Sequence, residues 1–396
     1  MRILVITQNY PPDLGAGSFR MKSLVDVLVS RNHEVIVIAG TPNRYESIDR
    51  NTLQDDSERE KIIRISVPQQ KQNLIQRGMS YIEFFRKATK LSMKTAKECD
   101  VIVATSPQLL VAYSAAKAAK KENKPFVLDI RDLWPDLMID LKLVTTRSLV
   151  YKILKRIEKR CYRQANRITV NSPAFKQHIE EISNKAPILI TNGIDDELFS
   201  ELQKTDRKDP EEPFIITYAG NLGICQDLEV LLKAAEKCNK NFRFRFIGDG
   251  SEKTKLLSVI KESRIQNVEM IDPVPRSKLL KYYAETDAFF VHLKNVEMFN
   301  KTIPSKLFEY VATGKPVLYG LEGVAKEIMN ELQGPYLAFE PGDVHSLLAS
   351  LDVLHEALKN PRKLNGLEST EKLKEKYLRS VLSNRFADVI EGVTRC

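Results

Sequence analysis

The chain has 396 residues, of which 43% are hydrophobic and 29% charged, so it is long enough for two soluble domains and has no apolar run long enough to span a bilayer. Five scattered cysteines without C-x-x-C spacing argue against a disulfide framework and a zinc site and indicate a reducing cytoplasm. The net charge of +9 suits nucleic acid, an anionic membrane or anionic small substrates, and composition alone does not choose among them.

The first half of the chain alternates between strand-like and helix-like apolar patterns. Residues 2–8 and 33–40 are almost continuously apolar and predict strands, whereas the spacing of apolar residues over 19–32 predicts a helix. We expect the first segment to be a core strand and not a signal peptide. Strand, helix and strand in this order predict a right-handed parallel βαβ unit. Further strands are predicted at 100–106, 125–130, 167–172 and 187–193, and further helices at 111–120 and 146–165.

The alternation stops at a charged, proline-containing segment, residues 198–213, which we interpret as a linker. It then restarts, with strands predicted at 214–220, 242–250, 267–274, 288–293 and 315–320 and helices between them. Because the strands are rich in Val, Ile and Leu, helices should cover both faces of each sheet. The sequence therefore predicts two Rossmann-like α/β domains, 1–197 and 198–374.

Residues 66–97 form a basic amphipathic stretch that includes Phe84, Phe85 and Arg86. Such a stretch suits an anionic membrane surface or an acidic partner. A helix that packs on its own sheet and leaves a solvated basic face explains the same pattern. Both interpretations stay open from the sequence.

The loop after the first strand contains two glycines, Gly15 and Gly17. A dinucleotide-binding fingerprint needs a third glycine where this chain has Arg20, so hydride transfer is weakly supported. A small-residue loop before a helix is also suited to an anion or a sugar, although a plain turn fits equally well. No H-E-x-x-H, D-x-D, G-x-S-x-G or P-loop pattern is present, which argues against metal chemistry, serine hydrolysis and P-loop NTPase activity.

The stretch TIPSKLFEYVATGKPVLYG, residues 302–320, places a cation at the start of a predicted helix. Lys306 opposes the helix dipole there unless a stronger anion binds the same amides. Pro304, Ser305 and Lys306 would then hold a diphosphate, and Glu309, one turn further, would accept hydrogen bonds from a ribose. A surface ion pair between Lys306 and Glu309 is the simpler alternative.

Taken in order, several of these segments resemble one enzyme family. FEYVATGKPV (308–317), YAGNLGICQDLEVLLKAA (218–235), FRFIGDGSEKTKL (244–256) and YYAETDAFFVHL (282–293) resemble the retaining glycosyltransferases of family 4, which have the GT-B fold. DLWPD (132–136) resembles a bacterial subgroup that builds O-antigen and capsule, including fucosamine (acetylaminofucose) transferases. The resemblance covers nearly the whole chain and implies two Rossmann-like domains facing across a donor cleft. It also implies that the last helix, 375–396, returns to the first domain.

The resemblance assigns donor-binding roles residue by residue, with departures. The first glutamate of the family's E-x7-E pattern falls at Lys301, and the second matches Glu309. The family's phosphate-binding Arg and Lys fall near Asn221 and Gln226, so Lys306 and Lys301 are expected to supply the positive charge. The donor-binding residues implied are Gly15, Gly17, Gly220, Asn221, Gln226, Asp249, Val274, Pro275, Lys301, Pro304 and Ser305.

The catalytic residues that the resemblance implies are Asp132, Lys306 and Glu309. Asp132 would bind sugar hydroxyls, orient the acceptor or serve as base, and a helix cap is its alternative role. Trp134 is expected to be a core anchor more than a platform for a sugar. The expected acceptor and membrane contacts are Arg131, Phe84, Phe85 and Arg86.

The function implied is the metal-independent, retaining transfer of an N-acetylated hexosamine or deoxyhexosamine from a UDP-sugar, with no cofactor. The acceptor would be a lipid-linked (polyprenyl diphosphate) glycan or a polysaccharide. We expect a cytoplasmic protein that is peripherally associated with the inner face of the cell membrane and does not bind nucleic acid. A UDP-sugar 2-epimerase and a non-catalytic sugar- or lipid-binding subunit are the alternatives.

Overall fold

The protein is described from a computed structural model, which covers residues 1–13, 15–41, 58–66, 74–106, 108–140, 143–204, 211–360, 364 and 366–394. The chain divides into two compact units. Unit 1 consists of Met1–Asn192 and Arg379–Cys396, and unit 2 consists of Gly193–Leu378. Each unit is built around one parallel sheet.

Unit 1 contains a seven-stranded sheet in the order β3-β2-β1-β4-β5-β6-β7. The strands are β1 (Arg2–Ile6), β2 (Glu34–Gly40), β3 (Glu60–Ile65), β4 (Val101–Thr105), β5 (Phe126–Ile130), β6 (Arg167–Val170) and β7 (Ile188–Leu189). All neighbouring strands are parallel. The order reverses beside β1, the place where open α/β sheets bind ligands.

Helices cover both faces of this sheet, as the continuous apolar strands predict. The helices of unit 1 are α1 (Ala16–Ser30), α2 (Leu74–Thr95), α3 (Leu109–Glu122), α4 (Asp136–Asp140), α5 (Leu149–Gln164), α6 (Lys176–Ser183) and α16 (Arg379–Thr394). Helices α2, α3, α5 and α6 pack into one core cluster, and α1 and α16 pack into the other. The last helix of the chain thus lies against the first.

A buried ion pair joins the strand ends of unit 1. Asp129, at the end of β5, accepts hydrogen bonds from Arg20 Nε at 3.0 Å and Nη2 at 2.9 Å. Thr105 and Thr169, on the two flanking strands, donate to the same carboxylate at 3.1 and 2.7 Å. Arg20 therefore has a structural partner, which explains an arginine where a dinucleotide loop would have a glycine.

Unit 2 contains a six-stranded parallel sheet in the order β10-β9-β8-β11-β12-β13, which repeats the pattern of unit 1 without its last strand. The strands are β8 (Phe214–Asn221), β9 (Phe242–Asp249), β10 (Val268–Ile271), β11 (Ala288–His292), β12 (Val317–Gly320) and β13 (Tyr336–Ala338). The order reverses here between β8 and β11, so the loops that follow these two strands are the expected ligand site.

The helices of unit 2 also form two layers. They are α7 (Asp196–Gln203), α8 (Glu229–Lys237), α9 (Lys253–Glu262), α10 (Arg276–Glu285), α11 (Glu297–Asn300), α12 (Ser305–Ala312), α13 (Val324–Leu332), α14 (Val344–Leu358) and α15 (Leu367–Tyr377). Helices α8, α9 and α14 share one core cluster. Rings from α10 and α12, Tyr283 and Tyr310, pack against Phe289 of β11.

The predicted linker is wrong in its first part. Residues 196–203 form α7, which begins at the N-cap Asp195, whose side chain accepts from Leu198 N at 3.1 Å. Helix α7 packs against α12, and the Gln203 side chain donates to the Ala312 carbonyl. Residues 205–210 lie outside the described part of the chain. The units divide at Asn192/Gly193 and Leu378/Arg379, a few residues from the predicted boundaries.

Candidate active site

The side chain of Lys306 lies directly over the backbone of Gly220, near the end of β8. A Cβ atom built on Gly220 would fall 2.8 Å from Lys306 Nζ and closer still to Cε, so a side chain there would displace the lysine. Gly220 also has a φ of +153°, which L-residues rarely adopt. In the neighbouring strand, a Cβ on Gly248 would collide with the Gly220 carbonyl. Gly220 thus makes room for the lysine near the end of β8, and Gly248 makes room for the backbone of Gly220.

Lys306 stands in the first turn of α12, whose N-terminal end has no side-chain cap. Pro304 occupies the N-cap position and cannot accept a hydrogen bond through its side chain. The free N–H groups at such an end favour an anion. Ser305 and Lys306 add a hydroxyl and an ammonium, so this end of α12 is suited to a phosphate. In the described part of the chain, Lys306 has no carboxylate within ion-pair distance.

Glu309, one turn further along α12, is held by a tyrosine that the sequence analysis missed. Tyr283 Oη donates to Glu309 Oε2 at 3.3 Å. Burial and the nearby Glu309 charge raise the pKa of Tyr283 well above its usual value, so the phenol remains a donor. Its ring packs edge-on against Phe289 at 4.9 Å. The half-buried carboxylate of Glu309 therefore has a fixed position and retains acceptor capacity.

A second tyrosine ties α12 to β8. Tyr310 Oη accepts from Ala219 N at 2.9 Å and donates to the Ala219 carbonyl at 3.2 Å. Ala219 directly precedes Gly220, so these bonds fix the position of the Lys306 helix relative to the strand end. The two residues are 91 positions apart, and no local sequence pattern indicates the pairing.

The positions where the family has phosphate-binding cations carry neutral side chains that bond to each other. Asn221 Nδ2 donates to Gln226 Oε1 at 3.3 Å, in the loop after β8. Lys301, expected to replace the lost charge, instead pairs with Glu297 at 2.7 Å on the exposed surface of α11. Its expected role in phosphate binding has no support in this geometry, whereas Lys306 has the position that the role requires.

Three further predicted donor residues lie in unit 2, at the end of β9 and before α10. Asp249 ends β9, is exposed, and accepts from the Gly250 amide at 2.9 Å. Val274 is half-buried and Pro275 exposed in the segment before α10. The neighbouring Arg276 pairs with Glu201 of α7 at 2.7 Å. None of these contacts links the segment to Lys306, so the expected donor-binding role of Val274 and Pro275 stays a prediction.

In unit 1, the guanidinium of Arg131 lies against Gly17. A Cβ on Gly17 would fall 2.7 Å from Arg131 Cζ, in the first turn of α1. Gly15 is the N-cap of that helix, which has no side-chain cap. Burial lowers the pKa of Arg131, against the opposing effects of Asp129 and Asp132. The structure thus brings together one residue predicted for the donor and one predicted for the acceptor.

The carboxylate of Asp132 follows Arg131 at the end of β5. Burial raises its pKa to about 6, although Arg131 lowers it in part. A carboxyl group that titrates near neutral pH is suited to accept or donate a proton. Trp134 packs against the core cluster of unit 1, as expected for a core anchor.

Comparisons with known proteins match both units. Residues 18–198 match the family described as Glycosyltransferase Family 4, and residues 199–375 match the family described as Glycosyl transferases group 1. The chain is a glycosyltransferase with the GT-B fold. The structure of Anabaena Alr3699/HepE in complex with UDP has a TM-score of 0.71 and 15% identity, covering 99% of this chain and 100% of that one, which supports the same fold.

Two curated relatives of this glycosyltransferase are similar over about two thirds of their length. One is named as a glycosyltransferase, WbjE, of Pseudomonas aeruginosa, 25% identical over 64% of this chain and 65% of the relative. The other is named as a colanic acid biosynthesis glycosyl transferase, WcaI, of Escherichia coli, 23% identical over 68% of this chain and 71% of the relative. The expected resemblance to glycosyltransferases is confirmed, and a fucosamine specificity is not shown.

The first domain of this glycosyltransferase also contains a charged cluster that the sequence analysis did not find. Lys155 Nζ lies 2.8 Å from Asp136 Oδ2 and 2.6 Å from Glu158 Oε2, and His178 Nε2 lies 2.9 Å from Glu158 Oε1. Burial alone would raise the pKa of Asp136, but hydrogen bonds from Lys155 and Tyr151 lower it. Two carboxylates and a histidine could hold a metal ion, but the ammonium of Lys155 bridges the two carboxylates and occupies that place.

The predicted membrane contact at residues 84–86 is wrong for one of its three residues. Phe84 is fully buried in the core of unit 1 and is not available to a membrane. Phe85 is half-buried and stacks on Tyr113 with ring centroids 5.7 Å apart, while Arg86 is exposed. Residues 67–73 of the same stretch lie outside the described chain. Within the described residues, every helix is too short or too polar to cross a bilayer.

Proposed function

We propose that this glycosyltransferase moves a sugar from a UDP-sugar to a lipid-linked or polysaccharide acceptor, with retention of anomeric configuration and without a metal. The donor sugar would be an N-acetylated hexosamine or deoxyhexosamine, and the setting cell-surface polysaccharide synthesis at the cytoplasmic face of a membrane. The names of the two relatives and the UDP bound to the Anabaena protein support this class of donor and product.

The observation that carries the proposal is the position of Lys306 at the uncapped end of α12. Its ammonium and the first amides of the helix would bind the diphosphate of the donor. Glu309, oriented by Tyr283, would accept hydrogen bonds from the ribose hydroxyls. An anion explains why a lysine occupies a helix end where the dipole disfavours a cation.

The same groups would act on the reaction itself. As the bond between the anomeric carbon and the diphosphate oxygen breaks, negative charge grows on the leaving group. Lys306 and the helix amides would stabilise that charge more strongly than they stabilise the ground state. The acceptor oxygen would form its bond on the face that the diphosphate leaves, and its proton would pass to the departing phosphate. Asp132 is the alternative proton acceptor, because its pKa lies near neutrality.

A thermal-shift experiment with UDP, GDP, ADP and NAD tests the donor site. Binding to the native state should raise the melting temperature with UDP. Lys306→Ala and Glu309→Ala should reduce or abolish the shift, and Lys301→Ala is the matched control because its partner is the exposed Glu297. A UDP shift that survives Lys306→Ala, or is lost equally in Lys301→Ala, would contradict the proposed phosphate site.

The neutral pair Asn221–Gln226 favours one alternative, a non-catalytic subunit that retained the fold. Such a protein would bind a sugar or lipid but would not turn over any nucleotide sugar. Incubation with a panel of UDP-sugars and a polyprenyl diphosphate glycan, with UDP release as readout, separates the two. Release that depends on the acceptor excludes the subunit.

A further inference from the structure

The outward face of α5 begins with three exposed apolar side chains. Leu149 is 69% exposed, Val150 55% and Ile153 45%. Leu149 and Ile153 are four residues apart and therefore share one helix face. Isolated exposed apolar residues are common on protein surfaces, but three within five positions at one helix end form a patch that calls for a partner.

The rest of this face is basic. Two adjoining grooves, of about 690 and 450 Å³, run along α5 and α3 and share Tyr113, Arg160 and Gln164. The grooves are lined by seven cations and no carboxylate, namely Lys117, Lys120, Lys121, Arg156, Lys159, Arg160 and Arg163. Within the described residues none of the seven forms an ion pair, so their charge is not neutralised by the protein itself.

Aromatic rings hold part of this charge in place. Arg160 Nη1 donates to Tyr113 Oη at 3.2 Å, and Lys117 Nζ lies 4.9 Å from the centroid of the Tyr113 ring and 5.3 Å from that of Phe85. The two rings stack on each other. Cation–π contacts of this kind orient the cations without neutralising them.

The opposite side of α5 is fully engaged inside unit 1. Cys161 and Tyr162 are buried in the core, and Glu158 is buried with Lys155 and His178 as ionic partners. The helix is therefore fixed by its inner side, and its exposed apolar end and basic groove are fixed with it. We call the surface formed by Leu149, Val150, Ile153 and the seven groove cations the α5 surface.

We propose that the α5 surface docks this protein onto a bilayer of anionic phospholipid. The groove cations would contact the headgroup phosphates, and the three apolar side chains would enter the interface beside them. Nucleic acid would also attract the cations, but it would leave the apolar end in water, so the membrane accounts for both halves of the surface. This docking serves the lipid-linked acceptor of the proposed function, while its physical basis lies outside the nucleotide site.

Vesicle flotation of the full chain tests the proposal. Vesicles of phosphatidylcholine and phosphatidylglycerol in equal parts are compared with pure phosphatidylcholine, at low and at physiological salt. The charge variant is Arg156→Glu/Lys159→Glu/Arg163→Glu, and its control with equal net charge is Lys237→Glu/Lys261→Glu/Lys281→Glu on exposed positions of unit 2. The apolar variant is Leu149→Ser/Ile153→Ser, with Leu257→Ser/Val353→Ser as its control.

We expect the wild type and both controls to float with the anionic vesicles, more strongly at low salt. The charge variant should lose at least about tenfold in partition coefficient, because each basic residue near an anionic surface contributes to binding. The apolar variant should weaken binding at both salt concentrations. Any of three results would overturn the proposal. They are flotation of the wild type with neutral vesicles to the same extent as with anionic ones, a loss of binding in the control variants as large as in the test variants, and binding of duplex DNA without binding of vesicles.

The response to UDP, measured on the same samples, separates this proposal from the function. Variants that lose vesicle binding and keep the UDP-induced rise in melting temperature would show that the docking surface is separate from the donor site. A wild type that binds anionic vesicles and shows no UDP shift would retain the docking surface and lose the proposed donor site.

Discussion

The two sheets have the same strand order, but they differ at their strand ends in how far the polar side chains there are hydrogen-bonded within the protein. In unit 2, each of the last three residues of β8 has a contact within the unit: Tyr310 bonds to Ala219, Lys306 lies over Gly220, and Asn221 bonds to Gln226. In unit 1, buried polar atoms without a described partner follow β1, β5 and β6 or stand at the start of α1. They are the Gln8 side-chain amide, Ser18 Oγ, Arg131 Nε, Trp134 Nε1 and Asn171 Oδ1.

This difference has a physical meaning. Buried polar groups cost free energy unless protein, water or a ligand satisfies them. In the described part of unit 2, the buried side-chain atom without a described hydrogen-bond partner is Tyr336 Oη. It belongs to the first residue of β13, at the amino end of that strand. The proposed nucleotide end of unit 2 is therefore preorganised by internal contacts, while the corresponding end of unit 1 has hydrogen-bonding capacity that a hydroxyl-rich ligand would use.

The largest expected effect comes from Asp129, a buried carboxylate near the end of β5 whose two oxygens both accept hydrogen bonds. Asp129→Ala leaves Arg20 buried without its counter-ion and should lower the free energy of unfolding by about 3–5 kcal/mol. Urea denaturation measures the loss. Glu297→Ala, which removes an exposed pair with Lys301, should leave the free energy of unfolding nearly unchanged, because solvent screens that pair. A small effect of Asp129→Ala would mean that the polar ends of unit 1 are better hydrated than the contacts indicate.

Gly220→Ala should have the next largest effect, and it tests the preorganised end of unit 2. The new Cβ would displace Lys306 and impose an unfavourable φ, which costs about 1–3 kcal/mol and should abolish the UDP shift. Gly392→Ala is the control, because its Cβ meets nothing and the residue lies in a helix. A normal UDP shift in Gly220→Ala would show that Lys306 does not need its present position.

The smallest effect concerns Asp132 and depends on pH. Because burial raises the pKa of Asp132 from 3.8 to about 6, the folded protein binds a proton there that the unfolded chain has already released. This group thus stabilises the fold at low pH, and the stabilisation is lost as pH rises through about 6. Urea denaturation measures the free energy of unfolding at pH 4 and at pH 7. The difference between these two values should be smaller in Asp132→Asn than in the wild type. An unchanged pH profile would contradict the burial of a carboxyl group beside Arg131.

The fold was largely predictable because apolar periodicity is a local property. The alternation of strands and helices gave two parallel α/β units, and the position of Lys306 at a helix start followed from its spacing to Pro304 and Gly314. The linker was misplaced because charge and proline content hid the short helix α7, which is stabilised by packing against α12.

The parts of the site that sequence reasoning missed depend on long-range contacts. Tyr283 and Tyr310 reach Glu309 and Ala219 only after the sheet has formed. Phe84 and Phe85 are adjacent in the same basic amphipathic stretch, and that pattern does not distinguish them. In the structure, Phe84 is buried and Phe85 stacks on Tyr113. Lys301 was expected to supply positive charge that the family has near Asn221 and Gln226, and its pairing with Glu297 was not considered.

The return of α16 to unit 1 has a consequence for how the protein is made. Leu382, Phe386 and Ile390 of α16 belong to the same buried cluster as Met21 and Leu24 of α1. While the chain emerges from the ribosome, unit 2 can fold as soon as its continuous sequence is available, whereas the apolar face of unit 1 that α16 covers stays open until residues 379–394 have been made. Nascent chains that stop short of α16 therefore expose this hydrophobic face, to which chaperones would bind.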